Sequence, residues 1–370
     1  MVTPARHDGD IEAIFSISAV RQRLVEAAVL AFGDPIGAER YFIKRLRRRR
    51  RDGRAGQGES YQSNPKRNRQ RHPLLLFAAD ATIEQARIKV RPIEQVRGAP
   101  MPLPKRDWLE MTWQDIAVAT PDRWIAVLPL AATEQHGPHL PLGVDSFIAE
   151  TYLGRVREIL PDDLPVTFLP IQRVGISTEH LAYAGTLTFS AQTAIAAWTE
   201  LGESLARAGL RRLVLVTSHG GNVAAMELVA RDLRARFRML AVTVGWHRFG
   251  YPDGVFSGEE KKHGIHAGDI ETSLMLAAKS STVQMEKAAR ATPTTIAMAQ
   301  EFRWLGAYRP AGFAWMTQDL NVSGAVGDAT LAKADKGDAA LAQGAKAFVE
   351  LLREIDRFDL SRLREGPLAD

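Results

Sequence analysis

Histidine and carboxylate residues recur at short spacings in this sequence. In the segment 133–139 (TEQHGPH), Glu134 and His136 lie two residues apart, so in an extended chain their side chains point to the same side. Asp145 follows at the end of LGVD. Imidazole and carboxylate groups together suit Zn²⁺, Mn²⁺ or Fe²⁺. We therefore predict that these three residues bind metal. For Asp145 the alternative is a helix N-cap, because an aspartate there accepts free backbone N–H groups.

A second segment, 218–222 (SHGGN), follows the apolar run 212–217. Its paired glycines, Gly220 and Gly221, let the backbone turn tightly and approach a ligand closely. The Lys and Ser/Thr of a phosphate-binding P-loop are missing, which argues against a nucleotide site. We predict that His219 ligates metal and that both glycines border the substrate.

A third segment, 263–273 (HGIHAGDIETS), contains His263, His266 and Glu271. Six of the seven histidines after residue 100 lie in this segment or just beyond predicted strands, and only His180 stands apart. A lone histidine is usually structural, but several with acidic partners at one end of a sheet predict a shared site. If that site holds two ions, one carboxylate must bridge them, and Asp145 is the candidate.

Strand-like apolar runs alternate with helical patterns after residue 100. This alternation predicts a three-layer α/β/α domain around a mainly parallel sheet that is buried on both faces. Ligands of such sheets bind beyond the carboxyl ends of the strands, where the first two polar segments fall. The predicted strands are 124–131, 166–170, 212–217 and 239–246, and the predicted helices are 146–160, 191–208, 223–237, 270–278 and a long helical region over 328–357.

The composition narrows the chemistry and the compartment. The sequence contains no cysteine, which excludes disulfides and thiolate metal sites. Its longest apolar runs, such as 74–79, are far shorter than the roughly 18–20 residues of a membrane span. The first residues lack the design of a signal peptide, so we expect a cytoplasmic protein that does not bind membranes.

Residues 1–100 carry a net charge of +9, whereas residues 101–370 carry −4. The basic run 44–51 and the polar stretch after it predict a largely disordered N-terminal extension. A nucleic-acid-binding arm is the functional alternative, but aromatic residues are not interleaved with the charges as a stacking surface requires. A third hypothesis is that the start codon lies at Met101, which opens the predicted domain 101–370.

These segments resemble the creatininase family, the creatinine amidohydrolases and their relatives, over about residues 108–355. The resemblance implies a creatininase-like α/β fold, two divalent ions, hydrolysis of a C–N bond in a small-molecule amide, and a homo-oligomer, commonly a hexamer. It further implies that Glu134, His136, Asp145 and His219 are ligands and that His266 is the acid/base histidine. The motifs that carry it are 134–141 (EQHGPHLP), Asp145, 219–222 (HGGN), 266–268 (HAG), 271–276 (ETSLML) and 323–328 (SGAVGD).

The sequence departs from the creatinine-hydrolysing enzymes at the second segment. Those enzymes resemble His-Tyr-Glu-Asn there, whereas this chain has Gly220 and Gly221, so Glu271 is the nearest replacement ligand and joins His266 as a catalytic residue. His263 replaces part of their Trp-Asp pair, and Trp246 is a further candidate for the substrate pocket.

The predicted activity is therefore metal-dependent hydrolysis of a cyclic or linear amide, with Zn²⁺ ranked before Mn²⁺ and Fe²⁺. The alternatives are a formylamino-pyrimidine deformylase, a cofactor-maturation peptidase of the same family, or a non-catalytic member that binds a small molecule.

Overall fold

The computed structural model describes residues 103–117, 121–308 and 310–366. The predicted N-terminal extension, residues 1–100, lies outside these described residues, and so does the hypothesis of a later start codon. The predicted domain from 101 onward falls within them apart from residues 101–102, the short gaps and the last four residues.

A four-stranded parallel sheet forms the centre of the domain, with the strands in the order β2-β1-β3-β4. The register pairs Ile125 of β1 with Val166 of β2 and with Arg212 of β3. All residues of β1, β2 and β3 are buried, as a sheet covered on both faces requires. The strands are β1 (Ile125–Leu130), β2 (Val166–Phe168), β3 (Arg212–Thr217), β4 (Leu240–Gly245), β5 (Arg290–Ala291), β6 (Leu305–Gly306), β7 (Ala311–Gly312) and β8 (Gly327–Asp328).

Helices cover the sheet on both sides. Helices α2, α6 and α9 pack against one another on one face, and α3 packs against α4 on the other. The predicted three-layer α/β architecture with a parallel sheet is thus confirmed. The α-helices are α1 (Trp113–Ala117), α2 (Val144–Ile159), α3 (Ala191–Arg207), α4 (Val223–Phe237), α5 (Gly258–His263), α6 (Asp269–Lys279), α7 (Thr294–Glu301), α8 (Thr317–Leu320) and α9 (Ala334–Arg357).

The side chains of each strand alternate between two hydrophobic cores. Ile125 and Val127 of β1 join the core under α2, α6 and α9, which contains Phe348. Ala126 and Leu128 join the second core, which contains Trp198 of α3. Successive strand residues point to opposite faces, so one short apolar run supplies both cores.

The predicted elements match the structure closely except at the C-terminus. The helical region predicted over 328–357 is wrong at its start, because β8 and a 3₁₀ turn (Ala329–Leu331) precede α9. Asp328 accepts a hydrogen bond from the Thr330 N–H at 3.1 Å, which favours this turn over a longer helix.

The strand order places a crevice at the centre of the sheet. The chain runs from β1 outward to β2, then crosses back to β3 and continues to β4. The carboxyl ends of β1 and β3 therefore border the point where the winding direction reverses, and ligands of open α/β sheets bind at such a point. Among the described residues, no helix combines the length and apolar character needed to cross a membrane.

Candidate metal centre

The loop after β1 and the start of α2 deliver three carboxylate and imidazole groups. The Glu134 N–H donates to the Leu142 carbonyl at 3.0 Å, which folds the loop back on itself. Asp145 lies in the first turn of α2, but the N-cap is Gly143. The N-cap interpretation of Asp145 is therefore wrong, and its side chain faces the loop residues Glu134 and His136 instead.

The loop after β3 places His219 beside the first loop. Asn222 links the two, because its side-chain amide donates to the Ala131 carbonyl at 3.1 Å and accepts from the Ile176 N–H at 3.0 Å. Gly221 lies so close to its surroundings that a Cβ there would collide with the Ile176 carbonyl oxygen and with His219 Nε2. Only glycine fits this position without displacing His219.

The third segment reaches the site through a strained turn. Ala267 has a φ of 52°, in the left-handed region, and its N–H donates to Glu271 Oε2 at 2.6 Å. His266 pairs with Val326 in an isolated antiparallel bridge. The backbone at Ala267 directs the His266 side chain toward the residues of the first two loops. Glu271, in the first turn of α6, points toward the same residues.

All six residues predicted as ligands or catalytic groups converge. His219 Nδ1 lies 3.1 Å from Glu134 Oε1, and His136 Nε2 lies 3.7 Å from Asp145 Oδ2 and 3.9 Å from Glu271 Oε2. Three overlapping sets have ligand atoms within 4.8 Å of one another: Glu134, Asp145 and His219; His136, His266 and Glu271; Glu134, His180 and His266.

Backbone carbonyls fix the orientation of three of the imidazole rings. His136 Nδ1 donates to the Glu134 carbonyl at 3.0 Å, His219 Nε2 to the Ile176 carbonyl at 2.7 Å, and His266 Nε2 to the Gln135 carbonyl at 2.7 Å. A carbonyl oxygen only accepts, so each of these nitrogens carries a proton. In the neutral ring the second nitrogen then offers a lone pair to the cluster, as metal-binding histidines do.

Three buried polar atoms of the cluster have no hydrogen-bond partner among the described residues: Glu134 Oε2, His136 Nε2 and Asp145 Oδ2. Glu134 and Asp145 are only 1% and 2% exposed, and leaving such carboxylates unpaired costs several kcal/mol. Divalent cations would satisfy all three atoms at once, so the residues fit metal ions.

The pKa shifts reflect the same crowding. Burial, together with the charge of Glu134, raises the pKa of Asp145 well above its ordinary value. Burial also lowers the pKa of His136 well below that of a free imidazole. Burial opposes the charged ring of His219, yet the carboxylates around it, led by Glu134, raise its pKa. Opposite shifts within one cluster are typical of functional sites.

The sequence interpretation missed two members of the site, Glu179 and His180. His180 was expected to be a structural histidine apart from the others, but its Nε2 lies 3.3 Å from Glu134 Oε1. Burial lowers the pKa of His180 to about 3, so the ring is neutral at pH 7. Glu179 Oε1 lies 3.5 Å from His219 Nε2. Both residues follow β2, whose carboxyl end lies at the same edge of the sheet, and this was the available signal.

A cavity of about 570 Å³ opens onto the cluster. Glu134, Asp145, His219 and Glu271 line one side, together with Gly220 and Gly221. Aromatic residues line the other: Tyr308, Phe313 and Trp315.

Two predicted pocket residues lie elsewhere. Trp246 is 3% exposed and stacks on Tyr152 at 4.3 Å between ring centroids, so it belongs to the hydrophobic core and not to the cavity. His263 lines a neighbouring cavity of about 260 Å³, which shares Ile265 and Tyr308 with the first. Its Nδ1 lies 3.0 Å from Thr295 Oγ1.

The relatives found by sequence comparison include mycofactocin precursor peptide peptidases and a creatinine amidohydrolase. A mycofactocin precursor peptide peptidase of Mycobacterium ulcerans (strain Agy99) is 32% identical over 257 residues, which cover 67% of this chain and 89% of that protein. A creatinine amidohydrolase of Pseudomonas putida is 27% identical over 268 residues, covering 66% and 95%.

Comparison with solved structures finds creatininases. A creatininase variant of the Zn–Zn type has a TM-score of 0.55 at 24% identity, and the match covers 69% of this chain and 99% of that one. The manganese form of creatininase has a TM-score of 0.54 at 24% identity, covering 69% and 100%.

The family model described as creatinine amidohydrolase matches residues 109–352, which contain all the site residues described above. Because this match covers well over half of the chain, the chain belongs to the creatininase family.

Proposed function

We propose that this chain is a hydrolase that uses two divalent metal ions to cleave a C–N bond of an amide. The observation that carries the proposal is the set of buried, unpartnered atoms Glu134 Oε2, His136 Nε2 and Asp145 Oδ2. Family membership supports hydrolysis, and the convergence of imidazole and carboxylate groups at the sheet edge supports the metal requirement.

The ligands divide into two groups that share Asp145. Glu134, Asp145 and His219 form one group. His136 and Glu271, which lie together with His266, form the second. The 3.7 Å distance between Asp145 Oδ2 and His136 Nε2 supports Asp145 as the carboxylate that both groups would share. Bound ions would polarise the amide carbonyl and lower the pKa of a bound water from 15.7 toward about 7. Zn²⁺ and Mn²⁺, the ions named for the creatininase structures, both suit these ligands.

His266 handles the proton in this proposal. Its Nε2 is committed to the Gln135 carbonyl, while its Nδ1 faces the cluster 3.8 Å from Glu271 Oε2. Nδ1 therefore accepts a proton during the attack and donates it to the departing nitrogen. Gly220 and Gly221 line the cavity, and we assign to the backbone N–H groups beside them the stabilisation of negative charge on the carbonyl oxygen.

Within this activity, a peptide-like amide is favoured over creatinine as the substrate. The M. ulcerans relative named a peptide peptidase is more similar to this chain than the P. putida creatinine amidohydrolase. A cavity of about 570 Å³ is within the range that holds drug-sized ligands, and the second cavity beyond Tyr308 extends it. This extension suits an elongated substrate.

Elemental analysis of the full chain, combined with a panel of creatinine, cyclic amides and short peptides, tests the proposal. We expect two equivalents of divalent metal, loss of amide hydrolysis after chelation and recovery after Zn²⁺ or Mn²⁺ is added back. Full activity of the metal-free protein would refute the proposal, and so would failure of the metal-loaded protein to hydrolyse any amide of the panel.

A further inference from the structure

His180 differs from the other histidines of the cluster in how its ring is held. The rings of His136, His219 and His266 each donate to a backbone carbonyl. Among the described residues, no backbone carbonyl contacts the His180 ring, and its Nδ1 lies instead 2.8 Å from Nε2 of the Gln135 side chain.

The orientation of the Gln135 amide is fixed by its other contacts. The Gly137 N–H lies 2.9 Å from Oε1, which must therefore be the carbonyl oxygen. The amide nitrogen has two hydrogens, one directed at the Gly324 carbonyl at 2.9 Å and the other at His180 Nδ1. Because an amide nitrogen only donates, His180 Nδ1 accepts, and the single proton of the neutral ring resides on Nε2.

A second neighbour is compatible with this tautomer. The Thr317 hydroxyl lies 3.0 Å from His180 Nδ1 and 2.9 Å from the Glu179 carbonyl oxygen, so it can donate to either acceptor. Nε2–H then points into the cluster, where Glu134 Oε1 lies 3.3 Å away. In their neutral forms, the rings of His136, His219 and His266 thus offer lone pairs to the cluster, whereas the neutral ring of His180 offers a donor.

We propose that His180 is a positioning residue and not a metal ligand: its Nε2–H, set by Gln135, donates to Glu134 Oε1 and leaves Oε2 of that carboxylate for a metal ion. Oε2 is the oxygen without a partner among the described side chains. Among the described residues, three sets of side chains could hold an ion, and the one containing His180 is then excluded. The other two contain the ligands of the two ions in the proposed function, on which this inference rests, and His266 keeps its acid/base role there.

Nitrogen NMR of the full chain, labelled with ¹⁵N-histidine, tests the tautomer directly. The His180 signals are assigned by their loss in His180→Gln. We expect a protonated Nε2 and an unprotonated Nδ1, both in the metal-free protein and after loading with ¹¹³Cd²⁺. Cadmium coupling should appear on His136 and His219 and be absent on His180. Cadmium coupling to His180 Nε2, or a proton on Nδ1, would overturn the assignment.

A pair of substitutions tests the positioning role. His180→Ala removes the donor, so we expect divalent-metal affinity to fall about 10–100-fold, as for other residues that orient ligands, with two ions still bound at saturation. His180→Gln retains a side-chain N–H and should recover most of the affinity. Loss of one equivalent of metal at saturation in both variants would show that His180 is a ligand and would refute the proposal.

Thr317→Val and Gln135→Glu complete the design. Thr317→Val leaves the Gln135 contact intact and should keep the tautomer and the metal affinity. Gln135→Glu places an acceptor opposite Nδ1 and should move the proton from Nε2 to Nδ1 in the ¹⁵N spectrum; an unchanged spectrum would contradict the inference. Failure of the wild-type chain to bind any divalent ion would refute the proposed function, whereas the tautomer of the metal-free protein is measured independently.

Discussion

The two walls of the cavity are built in different ways. The metal-facing wall is formed by Glu134, Asp145 and His219, which lie in the loops after β1 and β3 and in the first turn of α2. Their side chains are buried, and so is His136 beside them. The aromatic wall is formed by Tyr308, Phe313 and Trp315, which follow two-residue strands. Tyr308 is 56% exposed. In the proposed function, the reaction chemistry therefore depends on buried side chains at the edge of the central sheet, while substrate contact falls to a segment with few regular hydrogen bonds.

The largest expected effect comes from removing a ligand beside the metal-facing wall. His136→Ala leaves Asp145 and Glu271 without their common neighbour, so we expect loss of at least one metal equivalent and a fall in kcat/KM of about a thousandfold or more. Elemental analysis and single-substrate kinetics measure both quantities. His139→Ala is the control, since His139 contacts Thr272 and belongs to none of the metal-binding sets. Retention of both metal and turnover in His136→Ala would remove the basis of the comparison.

A smaller effect, on stability, is expected from substituting Glu260, which hydrogen-bonds to the start of α6. Its buried carboxylate accepts the Ile270 N–H at 3.1 Å, and burial raises its pKa from 4.5 to about 7. The raised pKa means that the folded protein binds this proton more tightly than the unfolded chain does. The resulting contribution to the free energy of unfolding is complete below pH 4.5 and is lost as the pH rises to about 7. The shift corresponds to about 3 kcal/mol.

Glu260→Gln should therefore remove this pH dependence and raise the free energy of unfolding at pH 8 by up to about 3 kcal/mol. Urea unfolding at pH 4.5 and pH 8 measures the difference. Glu259→Gln, at an exposed neighbouring site paired with Arg290, should change it by less than about 1 kcal/mol. Equal pH profiles for Glu260→Gln and the wild type would show that the carboxylate titrates normally.

Gly220 and Gly221, adjacent in the second loop, allow a matched pair of alanine substitutions. In Gly221→Ala the new methyl group meets His219 and the Ile176 carbonyl, so a displaced ligand should lower kcat/KM about a hundredfold. In Gly220→Ala nothing lies within 4 Å of the added Cβ, and activity should stay within about twofold of the wild type. Equal losses in the two variants would show that the loop adjusts freely and would weaken the picture of a rigid metal-facing wall.

The smallest effect is expected on the aromatic wall. Tyr308→Ala removes apolar contact area without touching the metal-binding sets, so we expect KM to rise about tenfold with kcat and metal content unchanged. Steady-state kinetics with the best amide of the panel separates the two parameters. A loss of metal in this variant would show that the two walls are not independent.

The sequence predicted the sheet and most of the site because these depend on local patterns. The run 212–217 has the apolar character of a strand buried on both faces, and the strand has these bounds in the structure. The convergence of Glu134 and His219 followed from placing polar loops at the carboxyl ends of parallel strands, whereas Glu271 was predicted from the resemblance to the creatininase family. The metal-binding roles of these residues stay predictions.

The remainder of the site depends on contacts between distant segments. The His180 ring is held in the site by contacts with Gln135 and Thr317, which are 45 and 137 residues away along the chain. No periodicity in the sequence reveals such contacts. Trp246 was misplaced for the same reason, because an aromatic residue at the end of a strand can face either the core or a cavity. The two-residue strands β6 and β7 are too short to produce a detectable pattern.

Helix α9, which packs on α2 and α6, has a consequence for biosynthesis. The ribosome makes the chain from the N-terminus at roughly 5–20 residues per second, so Glu134, Asp145 and His219 emerge seconds before Glu271. The apolar surface that Phe348 and Leu352 cover stays exposed until the last helix is made. A nascent chain that has not yet reached Glu271 therefore carries one set of the proposed ligands on a half-covered sheet, and the second set is completed only when α6 emerges.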